Sequence, residues 1–386
     1  MRIGIDARTI LNPEKGEAIG VGHYTYQLIR HLLKLDKENE YVLFFDFRVR
    51  EKDIKKFTQS NVKIKFYPFS DYKKYLPGAY SEILGTATLQ KEKLDILHST
   101  SPLSRIPASY RGKTVVTFYD MGMYKSPESF SAIRMAKNKA VYKLMANKAD
   151  KVIAVSNSIR EDLKKILSVA EKKISVVYSG LDKRFFDAQE DNNQKVLEKF
   201  GIKKKYILFL GTLEPIKNIA GLLKSFALFK EKYCKTNKNF DYQLVIAGKR
   251  GWLSQSYPQM AKDLGIAKDI VFTGYIIGDE LVPLFKQADF FIMPSLYEGF
   301  GTTILEAFAV GTPSIISNVA SVPEIVGDAA ILVNPVDTEG IAKNMMDLAS
   351  NVELKKTLRE KGLVRARNFD WEKCARETLE IYKSLK

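Results

Sequence analysis

The chain has 386 residues, 45% of them hydrophobic and 27% charged, which suits a globular protein of two or three domains. This composition excludes collagen-like, coiled-coil and disordered chains, and no apolar run approaches the ~18 residues that a membrane span requires. The net charge of +16 is uneven, because residues 1–190 carry +12 and residues 191–386 carry +4. A basic half attracts phosphates, nucleic acid or anionic lipid headgroups, although a lysine-rich surface alone gives the same total.

Two cysteines, Cys234 and Cys374, are too few and too far apart for a disulfide framework or a cysteine metal site. The first residues resemble a buried strand and lack the apolar core of a signal peptide. We therefore expect a cytoplasmic protein in a reducing compartment.

Short runs rich in Val, Ile and Phe alternate with longer amphipathic segments along the chain. The runs predict thirteen strands, at 3–6, 41–45, 62–67, 96–98, 114–118, 151–155, 174–177, 206–210, 243–247, 270–272, 290–293, 314–316 and 330–333. The amphipathic segments predict helices at 22–35, 132–149, 158–167, 218–232 and 281–286. Apolar strands separated by helices indicate parallel sheets, and thirteen strands exceed one doubly wound sheet. The sequence therefore predicts two α/β domains, with a boundary within ten residues of the polar stretch 189–194.

The densest cluster of candidate site residues follows the strand predicted at 290–293, in the segment SLYEGFGTTILE (295–306). Its two glycines permit a tight turn, and the helix predicted to begin near Thr303 offers free N–H groups to an anion such as a phosphate. Glu298 and Glu306 flank that turn, where a carboxylate can accept hydrogen bonds from ribose hydroxyls. The alternative is a capping box, in which Thr303 and Glu306 only satisfy backbone N–H groups.

Glu298 and Glu306, with seven residues between them, resemble the E-x7-E signature of a large family of retaining glycosyltransferases with the GT-B fold (family 4). Segments of the second half are similar to the same family, namely ILFLGTLEPIKN (207–218), LVIAGKRGW (244–252), VFTGYI (271–276) and VPEIVGDAAILVNP (322–335). Weaker similarities occur in the first half, namely MRIGIDAR (1–8), GVGHYTYQL (20–28), DILHSTSPL (95–103), TVVTFYDMG (114–122), VIAVSNSIREDL (152–163) and VVYSGLD (176–182).

The resemblance implies an α/β GT-B protein, in which two Rossmann-like doubly wound parallel-sheet domains face a cleft. It implies an acceptor-binding domain at 1–190, a nucleotide-sugar-binding domain at 191–370, and a C-terminal helix at 371–386 that crosses back to the first domain. The implied activity is retaining, metal-independent transfer of a hexose from a nucleotide-sugar, with no further cofactor, to a glycan or lipid-linked acceptor in cell-envelope polysaccharide or glycan synthesis. The form GTLEPIKN (211–218) is similar to members that use GDP-mannose, which we prefer over a UDP-sugar. No Asp-x-Asp motif is present to hold a divalent cation.

The resemblance also implies roles for the residues of the second half. Glu306 would hold the ribose hydroxyls, and Glu298 would act in catalysis beside the donor sugar. Lys217 matches the family's pyrophosphate-binding cation, and it precedes a helix N-terminus, where a cation is unfavourable without an anion nearby. The other donor-binding positions are Gly299, Phe300, Gly301 and Thr302 around the sugar and phosphate, and Gly248, Tyr275 and Ile276 near the nucleobase.

One departure from the family concerns positive charge near Lys217. Many members carry an arginine close to this lysine, whereas this chain has Thr212 and Ile216 at the nearby positions. Lys249 or Arg250, after the next predicted strand, can take over the neutralisation of the pyrophosphate.

In the first half, the resemblance places Gly20 and Gly22 in a loop that faces the phosphate and the acceptor. His98 and Asp120 follow predicted strands, and we expect both to be catalytic residues in the cleft, although a lone histidine is often structural. Tyr119 stands where the family often has a histidine, so the role of that histidine is not carried over.

Two alternatives stay open. A GT-B epimerase acting on the nucleotide-sugar itself would need acid and base carboxylates around the sugar. The basic segment 134–151 predicts a helix that either contacts an anionic membrane surface, at the inner face of the membrane, or packs an apolar stripe into the core. Nucleic-acid binding is not expected, because the aromatic and basic motifs of known modules are missing.

Overall fold

The computed structural model describes residues 1–10, 20–46, 49, 51–67, 78–187, 193–276 and 278–386. These residues form two compact units. Unit 1 consists of Met1–Met121, Ile133–Gly180 and Asp370–Lys386, and unit 2 consists of Gly122–Ala132 and Leu181–Phe369. Most of the predicted boundary stretch, residues 189–192, lies outside the described residues.

Unit 1 is built on a seven-stranded parallel sheet with the order β3-β2-β1-β4-β5-β6-β7. Its strands are β1 (Arg2–Asp6), β2 (Glu40–Asp46), β3 (Val62–Tyr67), β4 (Ile96–Ser99), β5 (Lys113–Phe118), β6 (Lys151–Ala154) and β7 (Ile174–Val176). The chain winds outward from β1 to β3 and then returns to β4, which pairs with β1 in the register Ile3 to Ile96. This is the doubly wound arrangement that the alternation of apolar runs and helices predicts.

Unit 2 repeats the arrangement with a six-stranded parallel sheet in the order β10-β9-β8-β11-β12-β13. Its strands are β8 (Lys205–Leu210), β9 (Tyr242–Ala247), β10 (Ile270–Gly274), β11 (Phe290–Met293), β12 (Ser314–Ser317) and β13 (Ile331–Val333). All thirteen predicted strands are confirmed, with ends that differ by no more than two residues. The two Rossmann-like sheets confirm the predicted fold class.

The helices connect successive strands and cover the sheets. They are α1 (Gly20–Leu35), α2 (Gly78–Lys91), α3 (Gly122–Lys125), α4 (Ala132–Lys148), α5 (Asn157–Leu167), α6 (Asn193–Lys199), α7 (Ile219–Thr236), α8 (Tyr257–Asp263), α9 (Leu281–Gln287), α10 (Thr302–Ala309), α11 (Val322–Val326), α12 (Thr338–Ser350), α13 (Val352–Ala366) and α14 (Trp371–Lys383). Helix α7 shows why such segments fold: Leu222, Phe226 and Phe229 recur at helical spacing and are fully buried. Burying each of these side chains contributes about 1.5–3 kcal/mol.

The C-terminal helix α14 belongs to unit 1, where it packs against α1. Trp371 is buried, and its ring meets the ring of Tyr24 edge-on with a centroid separation of 5.4 Å. Gly180 touches the backbone of Trp371 so closely that a Cβ atom on Gly180 would lie 2.2 Å from the Trp371 nitrogen. No larger residue fits at position 180 without moving α14.

Candidate functional site at the carboxyl edge of the unit 2 sheet

Strands β8 and β11 are neighbours at the centre of the unit 2 sheet, where the winding direction reverses. Ligands of doubly wound sheets bind outside the carboxyl ends of the strands at such a switch point. The segment after β8 carries Lys217 and the segment after β11 carries Glu298. The topology therefore brings together two predicted site residues that are 81 positions apart.

Asn218 fixes the turn that carries Lys217. Its side-chain oxygen accepts a hydrogen bond from the Gly221 nitrogen (3.2 Å) and so caps α7. Its side-chain nitrogen donates to the carbonyl oxygens of Pro294 (3.1 Å) and Pro335 (2.7 Å). The residue has a φ of +55°, which asparagine tolerates better than most residues. One side chain thus connects the segments that follow β8, β11 and β13.

Lys217 and Glu298 form an ion pair. Nζ of Lys217 lies 2.5 Å from Oε1 of Glu298, and the two side chains are 23% and 10% exposed. Backbone contacts hold the partners in place, because the Leu296 nitrogen donates to the Ile216 carbonyl (2.8 Å) and the Ser321 hydroxyl donates to the Glu298 carbonyl (2.8 Å). The sequence assigned the lysine to phosphate and the glutamate to the sugar but did not predict that they pair.

Helix α10 begins at Thr302 directly after Gly301, which has a φ of +87° and is the N-cap residue. This φ favours glycine, and a Cβ atom on Gly301 would also lie 2.7 Å from Cδ1 of Ile304, whose side chain would have to move. Thr303 lies inside the helix, and in the described part of the chain the Glu306 carboxylate accepts no capping hydrogen bond from a backbone N–H. The capping-box alternative is therefore wrong. The first turn of α10 follows the carboxyl end of β11, beside the switch point, where unpaired N–H groups can bind an anion.

Glu306 lies one turn into α10 and is half-buried. Among the residues that the structure describes, none donates a hydrogen bond to its carboxylate. Burial raises the pKa of Glu306 to about 7, the Arg184 guanidinium lowers this pKa, and Asp182 raises it further. A partly desolvated carboxylate without donors is suited to accept hydrogen bonds from the hydroxyl groups of a ligand.

The segments after β8 and β9 run side by side at the same edge. The Leu213 nitrogen donates to the Lys249 carbonyl (2.9 Å), and a Cβ atom on Gly248 would lie 1.8 Å from the Gly211 carbonyl oxygen. Gly248 has a φ of +151° and permits this approach. The close packing explains why glycine occurs at position 248.

The predicted nucleobase and neutralising residues lie on the loops after β9 and β10. Lys249 and Arg250 are exposed, and Tyr275 is 47% exposed. Ile276 is buried. These loops thus present two cations and one aromatic ring at the carboxyl edge of the sheet.

Unit 1 has its own switch point, between β1 and β4. Gly20 begins α1 with a φ of +65° and is exposed, whereas Gly22 is buried. Sequence analysis missed Asp6 and Arg8 at the end of β1, where Nε and Nη2 of Arg8 donate to the two carboxylate oxygens of Asp6 (2.9 and 2.6 Å). Thr100, after β4, donates to the Asp6 carbonyl (2.9 Å). The position directly after the first strand of a doubly wound sheet is the signal that would have found them.

The residues after β5 have contrasting environments. Asp120 is exposed. Tyr119 instead donates its hydroxyl hydrogen to the Thr100 carbonyl (2.5 Å), and burial raises the pKa of Tyr119 well above its usual value. Tyr119 is therefore a neutral hydrogen-bond donor, and it does not replace the acid–base function of a histidine.

His98 does not lie at an accessible site, and this burial contradicts the catalytic role predicted for it. The side chain is fully buried, Nδ1 lies 2.6 Å from the Tyr382 hydroxyl, and Nε2 lies 2.8 Å from the Thr117 hydroxyl. Burial lowers the pKa of His98 to about 3. A neutral imidazole with both nitrogens occupied and no access to solvent stabilises the contact between β4 and α14, and it cannot reach a substrate.

Helix α4 exposes one face that mixes apolar and basic residues. Ile133 is 86% exposed and Leu144 is 36% exposed, and Lys137 and Ala140 are exposed on the same face, at the helical spacing 133, 137, 140, 144. The opposite face contains the buried Met145. One stripe of the helix is therefore in the core, as one of the two alternatives predicts, and contact with a membrane surface stays a prediction. The described helices include none with the length and apolarity to cross a membrane.

Comparison with known proteins gives two family matches, one over most of the strands of each sheet. Residues 19–185 match the model described as Glycosyltransferase Family 4, and residues 190–365 match the model described as Glycosyl transferases group 1.

Among curated proteins, the chain is 29% identical to the O-antigen chain mannosyltransferase B of Escherichia coli over 71% of both chains. It is 27% identical to the O-antigen chain mannosyltransferase RfbU of Salmonella typhimurium over 66% of this chain and 63% of that one. Among solved structures, Anabaena HepE in complex with UDP-glucose superposes over 100% of both chains with a TM-score of 0.74 and 16% identity.

Proposed function

We propose that this chain, a GT-B glycosyltransferase of the group that the two family models describe, transfers mannose from GDP-mannose to a glycan or lipid-linked acceptor in surface polysaccharide synthesis. The observation that carries the proposal is the meeting of Lys217, Glu298 and the α10 N-terminus at the switch point of unit 2, one helical turn from Glu306. Mannose is supported by the two O-antigen mannosyltransferase relatives. A UDP-sugar is the alternative donor, since HepE was solved with UDP-glucose.

The donor diphosphate would bind between Lys217 and the first turn of α10. Free N–H groups and the positive end of the helix dipole attract a phosphate, and the ammonium of Lys217 adds a full positive charge. The Lys217–Glu298 pair has no net charge, so the bound diphosphate would replace the Glu298 carboxylate as the partner of the Lys217 ammonium. Glu306 would accept hydrogen bonds from the ribose hydroxyls, which supply the donors that it does not find within the described protein.

The same residues explain the chemical step that we propose. The bond between the anomeric carbon and the diphosphate oxygen breaks, the acceptor oxygen bonds to that carbon on the same face, and the proton of the acceptor hydroxyl passes to the departing diphosphate oxygen. Negative charge grows on the leaving nucleoside diphosphate and positive charge grows on the sugar ring. Lys217 and the helix N–H groups would stabilise the leaving group, and Glu298 would face the cationic ring. Positive side chains in place of Mg²⁺ would make the transfer independent of a metal ion.

The acceptor would bind at the carboxyl edge of unit 1. Gly20 and Gly22 at the start of α1, Asp120 after β5, and the Asp6–Arg8 pair after β1 lie at or beside that edge. A carboxylate and a guanidinium in fixed geometry suit the hydroxyl groups of a glycan. Neither the site nor the relatives favour the epimerase alternative.

The proposal is tested by calorimetric binding of GDP-mannose, UDP-glucose and UDP-galactose, followed by product analysis with a mannan-type acceptor. We expect GDP-mannose to bind, transfer to continue in excess EDTA, and the new linkage to keep the α configuration. Glu306→Gln should weaken donor binding by about 10–100-fold, because a charged acceptor is replaced by a neutral one at a cost of roughly 1.5–3 kcal/mol.

Glu339→Gln is the matched control, since Glu339 is exposed on α12 and pairs with Lys232. Donor binding that is equal in wild type, Glu306→Gln and Glu339→Gln would contradict the assignment of Glu306. An absolute requirement for Mg²⁺ would contradict the metal-free mechanism, and binding of UDP-glucose alone would reassign the donor.

A further inference from the structure

The ion pair between Lys217 and Glu298 is the only polar interaction that the described residues give to either charged group. Nζ of Lys217 lies 2.5 Å from Oε1 of Glu298, and within the described part of the chain neither the ammonium nor the carboxylate has a second partner. The Glu298 side chain is only 10% exposed, so few water molecules can reach its carboxylate. Glu298 therefore depends on Lys217 to stabilise its charge.

The backbone holds both partners of this ion pair in place. The Glu298 carbonyl accepts hydrogen bonds from the Ser321 hydroxyl (2.8 Å) and from the Ser321 nitrogen (3.3 Å). The Lys217 nitrogen donates to the Glu214 carbonyl (2.9 Å) in the short turn before α7. Because both backbones are fixed, a Glu298 carboxylate that loses the ammonium must find another hydrogen-bond donor within the reach of its own side chain.

The donors that remain at the switch point are the N–H groups of the first turn of α10, which begins four residues after Glu298. In the proposed function these N–H groups and the Lys217 ammonium both bind the diphosphate. A diphosphate alone therefore takes both sets of donors and leaves Glu298 as an unpaired anion of low exposure beside another anion. A nucleotide-sugar takes the same donors, but its sugar brings hydroxyl groups that can donate to Glu298.

Without Glu298, the charge of the site would favour the product over the donor. The terminal phosphate of a nucleoside diphosphate loses its second proton with a pKa of about 6, whereas the same phosphate esterified to a sugar has no such proton. At neutral pH the product is therefore the more negative ligand. Lys217 and the helix N-terminus would bind it more strongly than the donor and would retain it after transfer.

We propose that Glu298, through its ion pair with Lys217, makes the site select the intact nucleotide-sugar over the nucleoside diphosphate that the reaction releases. Both ligands displace the carboxylate from the ammonium, and only the nucleotide-sugar gives that carboxylate new hydrogen bonds. The inference deepens the proposed function and rests on it for the class of ligand. It adds product release to the part that Glu298 has in transfer, and it predicts that removal of this carboxylate strengthens the binding of the product.

The first experiment compares wild type and Glu298→Gln by calorimetric titration with GDP and with GDP-mannose at about pH 7.5. We expect Glu298→Gln to bind GDP about tenfold more tightly, because the phosphate then displaces a neutral amide from Lys217 instead of a carboxylate. The Kd of GDP-mannose should change less than about threefold, since the gain at Lys217 is offset by weaker contacts to the sugar. UDP and UDP-glucose are titrated in parallel, so that the result does not depend on the nucleobase.

Two controls separate the ion pair from other effects of charge. Glu339→Gln removes an exposed negative charge from the same unit, where Glu339 pairs with Lys232, and should change the Kd of GDP less than about twofold. In the Lys217→Gln background, Glu298→Gln should improve GDP binding less than about threefold, because no ammonium is left to release. A full tenfold gain in that background would show simple repulsion between carboxylate and phosphate and would overturn the proposal.

The second experiment uses the wild-type protein and a changed ligand, so it does not depend on the folding of a variant. GDP esterified with cyclohexanol has the charge of GDP-mannose but no sugar hydroxyl groups. We expect wild type to bind this ester at least about tenfold more weakly than GDP-mannose, and we expect the difference to shrink at least about threefold in Glu298→Gln. An ester that binds wild type as tightly as GDP-mannose would overturn the proposal.

The outcomes distinguish this inference from the proposed function. If wild type binds GDP-mannose but Glu298→Gln binds GDP no more tightly than wild type does, the inference is overturned and the proposed function stands. Equal weakening of GDP and GDP-mannose in Glu298→Gln would identify a structural role and would also overturn the inference. If wild type binds neither nucleotide-sugar, both the proposed function and the inference fail. Stronger inhibition by GDP together with slower transfer in Glu298→Gln would support the inference.

Discussion

Replacing Glu306 by glutamine should make the protein more stable at alkaline pH, even though it should impair donor binding. Burial raises the pKa of Glu306 from the ordinary 4.5 to about 7. The native state therefore holds a proton that the unfolded state releases between these pH values, so the free energy of unfolding falls as pH rises from about 4.5 to 7 and then levels. At about 1.4 kcal/mol per tenfold change, ionising this carboxyl in the native state costs about 3 kcal/mol at pH 8.

Glutamine removes this cost but places a partly buried amide where the described residues offer no hydrogen-bond partner, which costs about 1 kcal/mol. The net gain for Glu306→Gln is therefore roughly 1–3 kcal/mol at pH 8, shrinking to under about 1 kcal/mol at pH 5, where the native carboxyl is protonated. For a unit of this size the gain corresponds to a melting temperature about 3–10 °C higher at pH 8. Differential scanning calorimetry at pH 5, 6, 7 and 8 measures it, with Glu339→Gln as the exposed control.

Adding the donor should offset most of this gain in stability. At a GDP-mannose concentration 100 times the wild-type Kd, binding stabilises the wild type by about 2.7 kcal/mol. If the substitution weakens binding 10–100-fold, the same concentration stabilises Glu306→Gln by only about 0.4–1.4 kcal/mol. A Glu306→Gln protein that melts at or below the wild-type temperature at pH 8 without donor would refute the reasoning from burial. A donor-induced gain equal to that of the wild type would refute the binding role.

Three further predictions concern separate features of the fold. Asn218→Ala should lower stability by about 3 kcal/mol in urea unfolding, because it removes a helix cap and two hydrogen bonds to carbonyls, whereas Asn237→Ala at the other end of α7 should cost under about 1 kcal/mol. His98→Phe should lower the melting temperature but leave the GDP-mannose Kd and kcat within about threefold of wild type, and a total loss of transfer in a folded variant would contradict its structural role. Paired substitution of Ile133 and Leu144 by serine should reduce co-sedimentation with phosphatidylglycerol vesicles at least threefold without changing donor affinity, and unchanged sedimentation would argue against membrane contact by this face of α4.

The strands could be predicted because parallel sheets are buried on both faces. Each strand is then a short continuous apolar run, and the runs at 62–67 and 290–293 match β3 and β11 residue for residue. The loop after β11 could also be recognised as a candidate binding site, because it combines a Gly-x-Gly turn with the start of a helix and two glutamates. Local patterns of this kind predict a single strand or helix and the residues at which it begins and ends.

Contacts between distant segments could not be predicted in the same way. The Lys217–Glu298 pair depends on the order of β8 and β11 in the sheet, which no local pattern encodes. His98 has the same limitation, because its partner Tyr382 lies 284 residues further along the chain, and an imidazole at the end of a strand looks equally suited to a site or to the core. The capping box failed for a different reason: Gly301 takes the N-cap position, so the helix begins one residue before Thr303.

The two glutamates of the E-x7-E segment differ in the charge that surrounds them, and this difference bears on what a ligand must supply. The ammonium of Lys217 lies 2.5 Å from the Glu298 carboxylate, so this pair has no net charge before a diphosphate binds. A diphosphate can therefore pair with Lys217 only by displacing the Glu298 carboxylate. Glu306 has no ammonium, and burial raises its pKa. A ligand that brings hydroxyl donors to Glu306 and negative charge to Lys217 satisfies both groups at once, and a nucleoside diphosphate sugar carries these groups in one molecule. Its second phosphate still needs a cation, and in unit 2 the exposed Lys249 and Arg250 stand at the same edge of the sheet to provide one.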